Sequence, residues 1–162
     1  MVKVVAGTLV FLMPAATVSV VLLRRRWLVV AVRGESMLPA LHDGDTVLVR
    51  RRRANEVSVG DIVVVESPGR DGRWASPPAH RYTPDRHWMV KRVAALGGDR
   101  VPDGVPAPSP VVPLGALVVL GDNGGYDSRV FGLLPADRML GTVARVLAPA
   151  RPREEPRRGL RR

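Results

Sequence analysis

The 162-residue sequence contains no cysteine, which excludes disulfides, thiol catalysis, Cys-ligated zinc and iron–sulfur clusters, and leaves the redox compartment open. Its three histidines, His42, His80 and His87, are scattered without metal-ligand spacing, so no metal or other cofactor is expected. Aromatic residues make up only 4 % of the chain, too few for a base-stacking platform, and no helix-turn-helix or zinc-finger pattern is present. A nucleic-acid partner is therefore not expected despite a formal charge of +10. The arginines gather at residues 24–26, at 50–53 and in the tail from Arg151, clusters that suit anionic membrane lipid. The most informative shortage is lysine: of 25 basic residues only Lys3 and Lys91 are lysines. Arginine keeps its proton at any working pH, whereas a desolvated lysine gives it up, so the one lysine beyond the amino-terminal region invites a chemical role.

What the sequence does contain begins with twenty uncharged residues, 4–23, long enough as a helix to cross about 30 Å of hydrocarbon. Pro14 and Gly7 are tolerated in such helices. Three arginines follow directly and would make a poor start for a mature chain, so an uncleaved anchor is expected rather than a removed signal peptide. From Trp27 onward, β-type runs at 27–32, 46–50, 61–66, 88–95, 116–120 and 141–147 alternate with turn signals rich in glycine and aspartate. Those signals are His42-Asp43-Gly44-Asp45, Val59-Gly60-Asp61 and Gly97-Gly98-Asp99. Stretches 67–87 and 102–113, the latter with five prolines, read as surface loops. Proline and charge dominate 151–162, which reads as disordered. The expected organisation is an anchor with a basic flank at 1–26, a compact, mainly β domain at 27–148 and a basic tail at 149–162.

Three segments carry candidate chemistry. In Gly34-Glu35-Ser36-Met37-Leu38-Pro39 a serine stands at the end of an apolar strand just before a turn, where its hydroxyl can face a cleft or simply cap turn backbone. In Trp88-Met89-Val90-Lys91-Arg92-Val93 the period-two pattern puts Met89, Lys91 and Val93 on one face and Val90 and Arg92 on the other. Lys91 is the cheaper of the two cations to neutralise and is expected to point inward, where desolvation lowers its pKa toward that of a general base. The third segment runs through Gly121, Asp122, Asn123, Gly124, Gly125, Tyr126, Asp127, Ser128 and Arg129. Acid and base two residues apart, Asp127 and Arg129, can lock this Gly-rich turn by an ion pair.

In this order, the three segments and the intervening Gly-Asp turns closely resemble the type I signal peptidase family over most of residues 28–147. The resemblance implies a signal-peptidase-like β-fold behind one transmembrane helix, a Ser/Lys dyad, and removal of leader peptides from exported proteins. Carried over by position, Ser36 is the nucleophile and Lys91 the general base. The Ser36 backbone N–H is the natural oxyanion donor, with Gly34, Met37 and Met89 at the oxyanion and substrate positions. Asp122, Asn123, Asp127, Ser128 and Arg129 support the site.

The chain departs from the family pattern at Gly34 and Gly125, where relatives often carry serines, and in a shortened linker between Asn123 and Asp127. It also lacks the large second β-subdomain of some relatives, of which residues 102–113 look like a minimal remnant. Two other roles fit parts of the pattern: a dedicated maturation protease for a single, cytoplasmic client, and a non-catalytic membrane scaffold that binds leader peptides. The expected location is a single-pass position in the cell membrane with the domain outside, although Arg24, Arg25, Arg26 and Arg33 after the span argue by the positive-inside rule for the opposite orientation.

Overall fold

Valine sets the fold. In Thr46–Arg50 it alternates with Thr46, Leu48 and Arg50, so Val47 and Val49 are fully buried while Thr46 and Leu48 are half-buried and Arg50 is exposed, the pattern of a strand with one face on a core. In Ile62–Glu66 the run Val63, Val64, Val65 is buried without alternation, as expected of a strand covered on both faces. The computed structural model describes residues 26–69, 72–78 and 82–149. It contains a single seven-stranded antiparallel sheet: β1 (Trp27–Ala31), β2 (Thr46–Arg50), β3 (Ile62–Glu66), β4 (Trp88–Leu96), β5 (Ala116–Leu120), β6 (Leu134–Pro135) and β7 (Met139–Ala148). The order across the sheet is β1-β2-β7-β3-β4-β5-β6. Three strands separate β1 from β4, yet Ala31 and Lys91 line one cleft, so the sheet curls. The mainly β expectation and six of the strands agree with the sequence reading; the two-residue β6 and the helical turn Ser128–Phe131 are additional.

The three Gly-Asp signals all become turns built by one device. Gly44, Gly60 and Gly98 take φ of 91°, 96° and 97°, a left-handed backbone that side chains resist. The following aspartate then reaches back three residues to accept a backbone N–H. Asp45 Oδ2 takes His42 at 2.8 Å, Asp61 Oδ2 takes Ser58 at 3.0 Å and Asp99 Oδ2 takes Leu96 at 2.8 Å. The first turn follows the Ser36 segment, the second leads into β3 and the third ends β4, so two of them fix the ends of the strands beside the cleft.

Both stretches read as loops carry more structure than a surface loop needs. Residues 97–115 make a short antiparallel excursion with an Arg100–Val111 bridge, and Val112 is buried beside Ala95 and Val118. The other stretch is pinned by Glu66, a buried carboxylate at the end of β3. Arg86 Nη1 lies 2.6 Å from one of its oxygens and Arg138 Nη1 3.1 Å from the other. Arg138 also lies over the Trp74 ring and donates to the Ala75 carbonyl, while Trp88 stacks on Tyr82 and donates from Nε1 to the Thr83 carbonyl. Among the described residues no helix is long and apolar enough to cross a membrane; the span expected at 4–23 and the tail from 150 lie outside those residues.

Glu66→Ala should leave two guanidinium groups around an empty buried site. We expect a loss of about 3–5 kcal/mol of stability in denaturant unfolding, together with faster proteolysis within residues 67–87.

Candidate active site

The nucleophile candidate sits where β1 runs out into a turn. Beyond Ala31 the chain stays tied to the next turn by Val32 N–H to Asp45 O at 2.8 Å and Gly44 N–H to Val32 O at 2.9 Å. Gly34 has φ 84° and donates its N–H to Asp43 Oδ1 at 2.8 Å, which bends the backbone just ahead of Ser36. The Met37 side chain is 1 % exposed and belongs to the core with Val32, Leu41 and Val47, so it anchors the turn from below and its thioether does not reach the cleft as the substrate-position reading implied. Its carbonyl accepts the Leu41 N–H at 2.9 Å.

Lys91 comes from the middle of β4. It is 3 % exposed and, with Val93 and Ala95, forms the buried row of the strand, while Val90, Arg92 and Ala94 are half-buried, as the alternation predicts. Its Nζ lies 2.8 Å from Ser36 Oγ. Burial pushes the amine below its ordinary pKa of 10.5, because a cation loses solvation there; Asp127 opposes that shift and Arg129 adds to it. Arg92 turns outward and grips Asp122 with two hydrogen bonds, of 2.8 and 2.6 Å, which hold the Asp122 carboxyl below the usual range.

The loop after β5 packs against both groups. Asp127 is fully buried, yet desolvation, which alone would raise its pKa, is outweighed by donors: Arg129 Nη2 at 2.5 Å and Nε at 3.1 Å, Gly121 N–H at 2.9 Å and Arg129 N–H at 2.9 Å. Arg129 Nη2 also donates to the Gly121 carbonyl at 3.2 Å, so both backbone groups of Gly121 are held. Ser128 Oγ, fully buried, accepts the Val119 N–H at 3.0 Å and ties the helical turn to β5. Gly121 has to be glycine, since a Cβ there would overlap the Gly124 carbonyl and come within 2.9 Å of the Ser36 carbonyl oxygen. A Cβ on Gly125 would stand 3.3 Å from Ser36 Cβ and 4.0 Å from Lys91 Nζ, so this position does border the dyad.

Asn123 completes the link. Its backbone N–H donates to the Ser36 carbonyl at 2.9 Å and its Nδ2 to the Glu35 carbonyl at 3.2 Å. The Glu35 carbonyl also accepts the Leu38 N–H at 3.1 Å. The Glu35–Ser36 peptide plane is therefore fixed from its carbonyl side, which aims the Ser36 N–H of the same peptide in the opposite direction.

Ser36 and Lys91 open into a cleft of about 570 Å³ whose walls include Met89, Val90, Tyr82 and Tyr126. A larger cleft, of about 680 Å³, is bordered by Arg52, Val57, Leu96 and Leu114 and holds no nucleophile–base pair. Among the described residues no group of three or more histidine, aspartate or glutamate side chains could hold a metal ion. Ser36, Lys91 and Met89, singled out in the sequence, line the cleft; Tyr82, Tyr126 and the Glu66 network were not anticipated. A carboxylate ending a run of three valines was the available signal for Glu66, since it can be buried there only with partners. What the arrangement can do is transfer the Ser36 proton to a neutral amine and present a backbone N–H beside the resulting alkoxide.

The family model described as signal peptidase, peptidase S26, matches residues 5–102, more than half of the chain and a span that contains both Ser36 and Lys91. Comparison with curated proteins gives no match.

Lys91 tests the electrostatics directly. Its folded-state pKa lies below the unfolded one, so at low pH both states are protonated and the fold bears the full cost of a buried cation, a cost that fades as pH rises toward 10.5. Lys91→Met should therefore raise the melting temperature at neutral pH, and the gain over wild type should shrink in alkaline buffer; a gain that grows with pH would contradict the sign of the shift.

Proposed function

The chain belongs to the S26 family of signal peptidases, and on that premise we propose that it is a membrane-bound serine endopeptidase that removes leader peptides from exported proteins. The observation that carries this reading is the 2.8 Å contact between Lys91 Nζ and Ser36 Oγ inside a cleft. In the proposed reaction the neutral amine takes the Ser36 proton as Oγ attacks the scissile carbonyl, then returns it to the leaving amine. Such proton transfer is worth about 10² to 10⁴ in rate. Water admitted to the cleft then hydrolyses the acyl-enzyme with Lys91 again as base. The Ser36 N–H, aimed by Asn123, stabilises the oxyanion.

Substrate geometry follows from uncovered strand edges. β5 pairs with β4 only from Arg92 onward, and β1 is the last strand of the sheet on its side. The cleft is bordered by Val30 and Ala31 of β1 and by Trp88, Met89 and Val90 of β4. An extended peptide entering between them can add as a strand and bring its scissile bond to Ser36. As in the family it resembles, we take small residues such as alanine to be required one and three positions before the cut.

A leader-peptide cleavage assay tests the roles. Ser36→Ala and Lys91→Ala should be inactive while folded, and Lys91→Arg should be equally inactive because a guanidinium is no base at working pH. Substantial activity in the arginine variant would sink the general-base role. In the same assay Asn123→Ala should lower kcat by about 10- to 100-fold with KM little changed, the signature of a misaimed oxyanion donor.

For orientation we propose that residues from Trp27 onward face the extracytoplasmic side, where leader peptides emerge, with Arg24–Arg26 at the lipid headgroups. Protease added to intact spheroplasts should then degrade the catalytic domain; protection until the membrane is broken would place it in the cytoplasm and favour the single-client maturation role.

A further inference from the structure

The cleft has a charge that the Ser/Lys chemistry does not use. Four of the described residues that border it are basic types, Arg33, Arg86, His87 and Lys91, and none of the described ones is an aspartate or glutamate. Two of the four are already committed: Arg86 lies 2.6 Å from the Glu66 carboxylate, and the Lys91 amine faces Ser36 with burial favouring its neutral form. Arg33 differs. It is exposed, stands three residues before the nucleophile, and enters no ion pair among the described residues. Of the acids in this region, Asp43 accepts the Gly34 N–H, and the exposed Glu35 makes no ion pair with Arg33. A planar guanidinium beside a cleft with no carboxylate among its described walls matches a side-chain carboxylate of whatever peptide lies there.

We propose that the cleft selects peptides bearing an acidic side chain near the scissile bond, and that Arg33 is the specificity-determining residue that reads it. The proposal rests on the protease reading above and adds a substrate class to it. An extended peptide advances about 3.3 Å per residue, so a side chain facing Arg33 belongs to a residue within about four positions of the cut. Because Arg33 is solvent-exposed, the selection is modest, on the order of two- to fivefold, and sensitive to salt. Anionic lipid is the competing use for an arginine ten residues after the expected span, but lipid gives no reason for the absence of carboxylates among the described walls of the peptide cleft.

The test uses the full chain in detergent micelles and a leader peptide with alanine one and three residues before the cut. A single glutamate is moved from four residues before the cut to four after it, skipping those two alanines, and each peptide is compared with its glutamine and lysine twins. We expect one or two positions at which glutamate raises kcat/KM about two- to fivefold, an advantage that shrinks in about 1 M salt. The advantage should vanish in Arg33→Gln and turn into a preference for lysine in Arg33→Glu, with both variants cleaving the glutamine peptides near the wild-type rate. No glutamate advantage at any position, or one that persists in Arg33→Gln, overturns the proposal. So does a loss in both variants that is equal for the glutamate and glutamine peptides and appears only in vesicles containing anionic lipid, which would assign Arg33 to the membrane surface. Cleavage without a glutamate advantage removes this inference alone, whereas failure of wild type to cleave any of the peptides removes it together with the protease reading.

Discussion

The amine of Lys91 is buried among strand side chains and touches the Ser36 hydroxyl, and much of the surrounding structure answers to that one placement. Burial disfavours the ammonium form, and it is the free amine that can accept a proton. Asp127 pulls the other way, since an unopposed carboxylate nearby would restore the charge of the lysine. Its pull is tempered because the same carboxylate receives two guanidinium hydrogen bonds and two backbone N–H groups. Arg129 thus satisfies a buried acid and weighs against a protonated Lys91 at the same time. A strand that supplied arginine at position 91 would bury a group with no neutral form to offer.

The loop from Gly121 to Gly125 has to meet two opposed demands. It must approach Ser36 more closely than side chains permit, which calls for glycine, and glycine makes a loop loose. Charge supplies the stiffness. Arg92 holds Asp122 from one side, Asp127 and Arg129 hold Gly121 from the other, and Asn123 between them transmits the position of the loop to the backbone of Glu35 and Ser36. The Arg92–Asp122 pair is partly exposed and contributes little to global stability, whereas Arg129 satisfies a fully buried carboxylate; both fix a few peptide planes.

Legibility in the sequence followed the range of the forces involved. The Gly-Asp turns could be read because every interaction that makes them lies within four residues. The inward set of Lys91 could be read because β4 alternates from Val90 onward and the rival cation, Arg92, is harder to neutralise. Glu66 could not be paired from sequence, because its partners are 20 and 72 residues away. β6 escaped because two residues, one of them Pro135, carry no periodicity. The resemblance implies a substrate position for Met37, yet its side chain packs in the core with Val32 and Leu41, a long-range packing that its place beside Ser36 does not reveal. Residues 102–113 read as a loop because their prolines mask a single buried valine, Val112, that pins the excursion to the sheet.

Ser36 and Lys91 are 55 residues apart, one at the end of an edge strand and the other in the middle of a strand that reaches it only through the curl of the sheet. Neither half of the chain holds a competent pair on its own. The lysine stays solvated and protonated, and the serine inert, until the last long-range strand pairings close, and such pairings form slowly relative to local structure. The contact between the two residues is thus a property of the closed sheet as a whole: loosening any of the pairings between β1 and β4 would separate hydroxyl from amine even with every local turn intact.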